Sequence, residues 1–153
     1  TKVFFWKRMR ERISFLFGPV NFGERVLLAY GGCSIKKNGI YEEVTSILEK
    51  AGKTVIEFSG IMANPTYEKV LEGAKIAREN EVDWILGIGG GSVMDCCKAV
   101  SLAAISKKDI WKEYWAKPGI IDFEPLPLGV IVTVAGTGSE CNGGAVITNE
   151  GLK

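Results

Sequence analysis

The chain has 153 residues, 46% hydrophobic and 24% charged, which suits a single folded domain with a real core and excludes a disordered tail. Nineteen basic against eighteen acidic residues leave +1, so the chain is not built globally for nucleic acid or an acidic membrane. Histidine is absent, which removes Ser-His-Asp and Cys-His catalysis, HExxH sites and imidazole metal ligation.

Residues 1–24 read as a basic, aromatic extension. Lys2, Lys7, Arg8, Arg10 and Arg12 against Glu11 give the first 12 residues a net +4 and leave −3 for the rest. Phe4, Phe5 and Trp6 lie among them, yet five charges in so short a run describe a solvated or partner-packed extension better than a binding arm. Glu11 and the lack of an unbroken apolar stretch exclude a signal peptide. Nowhere does the chain reach the roughly 18 apolar residues of a membrane span. Cys33, Cys96, Cys97 and Cys141 lack metal-knuckle spacing and read as free, mostly buried thiols of a cytoplasmic protein.

From residue 25 onward, strand and helix patterns alternate. Arg25 to Tyr30 is a nearly all-apolar run stopped by Gly31-Gly32, as a strand buried on both faces would be. Ile40, Tyr41, Val44, Ile47, Leu48 and Ala51 recur at helical spacing before Gly52. Lys53 to Phe58 is a second strand. Asn64-Pro65 predicts a cap and first helical residue, followed by a buried stripe of Tyr67, Val70, Leu71, Ala74 and Ala77. Asp83 to Ile88 is a third strand, and Ser92 to about Ile105 a third helix. Residues 117–127 hold three prolines and read as irregular. Gly129 to Val134 is a fourth strand, and Gly144 to Thr148 a candidate fifth. This order predicts an α/β fold: an open, mostly parallel Rossmann-like sheet with flanking helices.

In such a sheet ligands bind beyond the carboxyl ends of the strands. Three of those ends carry glycine-rich turns: GGCS at 31–34, GGGS at 89–92 and AGTGSE at 135–140. The middle turn, a strand followed by three glycines and a helix start, lets backbone N–H groups approach a phosphate at the positive helix end. Ser92 and Asp95 also have capping-box spacing, a purely structural alternative. No complete GxGxxG or GxxxxGK[ST] occurs, and Ser34 to Lys37 matches SxxK by chance, without SDN or KTG. Glu57 ends the second strand, where a dinucleotide fold often places a ribose-binding acid; a solvated strand end explains it equally well.

At these turns the sequence resembles the iron-containing (group III) alcohol dehydrogenases, most closely their NADP-dependent butanol dehydrogenase and aldehyde reductase branch. The resemblance is carried by RVLLAYGGCSIKKNGIYEEV at 25–44, GIMANPTYEKV at 60–70, DWILGIGGGSVMDCCKAV at 83–100 and LPLGVIVTVAGTGSECNGGAVITNE at 126–150. It implies a dehydroquinate synthase-like N-terminal domain over residues 25–153 that binds NADP, with NAD possible. Gly90, Gly91 and Ser92 would meet the pyrophosphate, and Asp95 would lie near the nicotinamide ribose. Asn64 would line the adenosine half, and Gly31, Gly32 and Ser34 would read the adenine ribose. Thr133, Thr137 and Asn142 would contact the cofactor near nicotinamide.

Two departures stand out. The family's first helix has no room between FLFG at 15–18 and the strand at Val26. Its divalent metal, iron or zinc, is held by an aspartate and three histidines of a helical second domain that has no counterpart up to Lys153. The resemblance therefore implies the cofactor half of an active site, with no catalytic or metal residue in this chain. It would be inactive by itself, part of a homo-oligomeric enzyme acting on a small alcohol or aldehyde such as butanol. A stand-alone nucleotide-binding module, or part of a glycerol dehydrogenase or dehydroquinate synthase-like enzyme, is the alternative.

Overall fold

Four short apolar runs pair side by side in parallel. They are β1 (Arg25–Tyr30), β2 (Thr54–Phe58), β3 (Trp84–Gly89) and β4 (Leu128–Val132), in the order β2-β1-β3-β4. The structure, a computed structural model, describes residues 23–117, 119–134 and 136–152. The extension expected over residues 1–24 lies outside these except for its last two residues.

Between the strands run α1 (Ser34–Lys37), α2 (Ile40–Lys50), α3 (Tyr67–Glu79) and α4 (Gly91–Ile105). Strand side chains alternate between two cores. Val26, Leu28, Tyr30, Trp84, Leu86 and Ile88 pack with Ile35, Ile40, Val44 and Leu48 of α1 and α2. Leu27, Ala29 and Ile85 pack on the other face with Val70, Ala74 and Ala77 of α3 and with Val93, Cys96, Cys97, Ala99 and Val100 of α4. Because helices cover both faces, the central strands β1 and β3 are apolar almost throughout. Burying each large aliphatic or aromatic side chain contributes about 1.5–3 kcal/mol. At the opposite end of the sheet from the glycine turns, the Asp83 carboxylate accepts the N–H groups of Glu24 (2.7 Å) and Arg25 (2.8 Å), which ties the start of β1 to β3. The class is the one the alternating pattern predicts, open parallel α/β.

Several local expectations change. Thr66, not Asn64, caps α3: its Oγ1 accepts from Lys69 N (3.3 Å), while Asn64 adopts a left-handed φ of 53° in the loop before it. The reason is a parallel bridge between Thr66 and Thr148 that holds residues 65 and 66 extended. That bridge is also all that forms of the candidate fifth strand. Leu71 lies off the buried stripe of α3 and is exposed, and Gly73 takes its place against the core. Ala51 falls past the end of α2 and is exposed. The capping box is absent as well. Gly90 is the N-cap of α4 with no side-chain cap bond, so Ser92 is already inside the helix.

Candidate functional site

β1 connects to β2 on one side, and β2 then crosses back to β3 on the other. The strand order therefore reverses between β1 and β3, the place where open α/β sheets leave a crevice at their carboxyl edge. Gly31-Gly32 follows β1, and Gly89 to Gly91 leads from β3 into α4. Val93 N and Met94 N both return to Gly90 O (3.1 and 3.2 Å). The N–H groups of Gly91 and Ser92 stand outside the helix ladder, as the first donors of any helix do. No acidic side chain occupies the first turn of this 15-residue helix, so its positive end is left to an anion. The surroundings are tight where glycine stands. A Cβ on Gly91 would lie 2.8 Å from Cγ2 and Oγ1 of Thr137, and one on Gly31 would lie 3.0 Å from the Ile61 carbonyl oxygen. A backbone cradle at a helix start with no acid in its first turn suits an anionic group.

The sequence-predicted residues gather along this edge. Gly31, Gly32 and Ser34 sit beyond β1, Gly90, Gly91 and Ser92 beyond β3, and Thr133, Thr137 and Asn142 beyond β4. Thr133 N still donates to Gly89 O (3.0 Å), so β4 stays paired up to the turn. Asn64 is exposed on the loop after β2, which is tied to the first turn by Gly60 N to Gly31 O (2.9 Å) and Ile61 N to Tyr30 O (3.3 Å). Asp95 faces the segment after β4: Oδ1 accepts from Ser139 Oγ (2.5 Å) and Oδ2 from Val146 N (3.1 Å).

Sequence reasoning missed two groups. Lys98, one turn beyond Asp95, bonds to the same segment; its only sequence signal is the i,i+3 spacing from Asp95. The second is the set of partners around Glu57, an acid that the sequence offered only as a ribose ligand or a solvated strand end. Its carboxylate accepts from Tyr30 (2.5 Å) and from the Tyr41 hydroxyl, and Lys36 Nζ lies 3.5 Å from Oε2 and 4.4 Å from the Tyr41 ring centroid. The hydrogen bonds from Tyr30 and Tyr41 hold the Glu57 carboxyl below its ordinary range. The bond to Glu57 pushes the Tyr41 phenol up to about 12. Glu57 is therefore engaged within its own cluster.

The cysteines are all free, with Cys96 and Cys97 buried and Cys33 and Cys141 exposed. Among the described residues no three His, Cys, Asp or Glu side chains converge on a point, and the sequence has no histidine. These residues do not fit an iron or zinc centre. No helix among them is long and apolar enough to cross a membrane.

A parallel α/β domain of Rossmann-like type, with a glycine-lined crevice at its strand-order reversal, is the class that this fold and edge define. The chain belongs to the iron-containing alcohol dehydrogenase family, whose profile matches residues 1–153. A probable NADH-dependent butanol dehydrogenase of Bacillus subtilis is 42% identical over 149 residues, 97% of this chain and 37% of that protein. The NADPH-dependent aldehyde reductase of Escherichia coli is 39% identical over 127 residues, 82% of this chain and 32% of that protein. The crystal structure of NADH-dependent butanol dehydrogenase A from Thermotoga maritima matches with a TM-score of 0.89 at 39% identity, over 99% of this chain and 37% of that one. The chain thus spans little more than a third of the length of the relatives it matches. By their names these relatives are oxidoreductases of alcohols and aldehydes that use NADH or NADPH.

Proposed function

We propose that this chain forms the dinucleotide-binding part of an alcohol or aldehyde oxidoreductase of the cytoplasm. In this reading Gly90, Gly91 and Ser92 hold the pyrophosphate at the start of α4. Gly31, Gly32, Ser34 and Asn64 line the adenosine half, and Thr133, Thr137, Asn142 and Asp95 border the nicotinamide half. The bound nicotinamide supplies hydride exchange with a primary alcohol or its aldehyde, butanol being the substrate named for the relatives above. The observation that carries the reading is the uncapped, acid-free start of α4 opening between the turns of β1 and β4. Activation of the alcohol oxygen is not assigned to any residue here, since the metal implied by the family finds no ligand set among the described residues.

Of the two dinucleotides, NADPH is the better match. In the NAD-linked branch of the family that the sequence resembles, an aspartate follows the first strand; the matching position here is Gly31, which brings no charge against a 2′-phosphate. Glu57, the acid at the end of β2, is held by two phenols and Lys36. The relatives' names divide between the two cofactors, so the preference needs its own measurement.

The test is a titration of the 153-residue chain with NADPH and NADH, followed by nicotinamide fluorescence, with ADP as competitor. Saturable binding displaced by ADP is expected, with NADPH bound about tenfold tighter. No binding of either up to about 1 mM would overturn the reading. After dialysis the same chain is expected to hold no stoichiometric iron or zinc and to give no butanol-dependent NADP reduction; turnover with stoichiometric metal would refute that part.

A further inference from the structure

Lys98 has no place among the cofactor contacts, yet its ammonium is fully engaged. Nζ donates to Gly144 O (2.7 Å), Ser139 Oγ (2.9 Å) and Asn142 Oδ1 (3.3 Å), and it lies 3.8 Å from Asp95 Oδ1. Its side chain is 17% exposed, as is that of Asp95. Asp95 extends the same grip to Ser139 and Val146. The segment they hold, residues 136–146, contains one short 3-10 turn (Ser139–Cys141) and no described strand or α-helix. Its own bonds are local: Asn142 Nδ2 to Gly138 O and Gly144 N to Asn142 Oδ1, both 2.9 Å. Its course is therefore fixed by side chains rather than by a ladder: by Asp95 and Lys98 of α4 and, at Ala145 O, by Trp115 Nε1 (3.2 Å). At its near end, Thr137 fills the space that a side chain on Gly91 would need.

We propose that Lys98 is a positioning residue for the nicotinamide half of the site. Paired with Asp95, it fastens the segment after β4 to the helix that begins at the phosphate turn, and so sets Thr137 and Asn142 at a fixed distance from Gly90 and Gly91. The role rests on the dinucleotide reading above. It is not phosphate binding, because all three ammonium protons already have acceptors within the protein. Charge-assisted bonds from a mostly buried ammonium are about twice as strong as neutral ones, enough to hold a segment that has no secondary structure of its own.

Lys98→Met tests this, with Ser139→Ala as a milder variant that breaks the same network should the first not fold. Without cofactor, backbone amides of residues 136–146 should exchange hydrogen about tenfold or more faster in Lys98→Met, while those of β1 and β3 are unchanged. The variant should bind the dinucleotide about tenfold more weakly and ADP within about twofold of wild type. Ser139→Ala should shift both readouts in the same direction by less. Unchanged exchange in residues 136–146 would overturn the proposal, and equal losses for ADP and dinucleotide would mean that Lys98 touches phosphate directly. Failure of the wild-type chain to bind any dinucleotide would sink the cofactor reading itself, and the positioning role with it; the wild-type titration alone identifies that case.

Discussion

Gly90 and Gly91 are neighbours, and alanine at each should fail in a different way. Gly90 has extended backbone (φ −96°, ψ −163°) that any residue adopts, and a Cβ there would meet Val134 at an ordinary 3.6 Å. Gly90→Ala should leave stability within about 0.5 kcal/mol of wild type. Its methyl group, standing beside the free N–H groups, should weaken dinucleotide binding by about tenfold. Gly91 is different, because a Cβ there would lie 2.8 Å from Cγ2 and Oγ1 of Thr137. Carbon atoms rest about 3.5–4.0 Å apart, so Thr137 must retreat by roughly 0.7 Å or more. Overpacking costs about 1–3 kcal/mol in a tight core. Thr137 is exposed and can give way, so the low end applies. The net shift in Tm should stay within about 4 °C. Binding should nonetheless fall by at least as much as in Gly90→Ala, because the β4 turn is pushed away from the phosphate turn. Thermal denaturation and nicotinamide fluorescence read the two effects separately. Wild-type affinity in Gly90→Ala would refute the phosphate reading of α4, and unchanged affinity in Gly91→Ala would refute any role for the contact with Thr137.

The other predictions concern charge and thiols. Gly31→Asp should invert the cofactor preference toward NADH by about tenfold or more. Since a Cβ at this position would lie 3.0 Å from Ile61 O, Gly31→Ala is the control; equal losses of both cofactors in both variants would mean crowding rather than charge. Glu57→Gln should let the Tyr41 phenol fall from about 12 toward its ordinary value, read as tyrosinate absorbance against pH; an unmoved transition would exclude Glu57 as the cause. The Glu57 carboxyl titrates below its unfolded value, so its contribution is present above the ordinary carboxylate range and is lost as pH falls. The stability gap between wild type and Glu57→Gln should therefore close on acidification below about pH 4 and stay under about 1 kcal/mol for so exposed a group. Burial pushes the Cys96 thiol up to about 12 and Cys97 well above the usual thiol range. A thiol reagent should modify Cys33 and Cys141 in the native chain and reach Cys96 and Cys97 only on unfolding; modification of a buried thiol at the same rate as Cys33 would contradict this burial.

Periodicity was enough to find β1, α2, β2, α3, β3, α4 and β4, because each buries an apolar run or stripe against a sheet covered on both faces. It misplaced features decided by partners far along the chain. Asn64 loses the α3 cap because Thr148, remote in sequence, bridges to Thr66. The Ser92 and Asp95 spacing suggests a capping box, but Asp95 turns to Ser139, 44 residues away. The glycine turns were legible because a close backbone approach leaves a residue-type signature. Lys98 was not, because a lysine on a helix reads as solvated until its acceptors, which lie 41 to 46 residues further on, are known. The Tyr30, Tyr41 and Glu57 cluster escaped for the same reason, since it joins two strand ends and a helix that no local pattern connects.

The crevice lies between β1 and β3, and those strands meet only across a long stretch of chain: Arg25 N reaches Asp83 over 58 residues. During synthesis β1 has neither neighbour until β2 and β3 have followed, and the segment carrying Thr137 comes later still. Long-range parallel pairing is slow to form, and loop closure must precede the contacts that reward it. A ligand that bridges the turns after β1, β3 and β4 binds only the assembled sheet, adding about 2.7 kcal/mol of stability at a hundredfold excess over Kd. If that ligand is the proposed dinucleotide, thermal stability of the chain should rise with its concentration, and protease resistance with it.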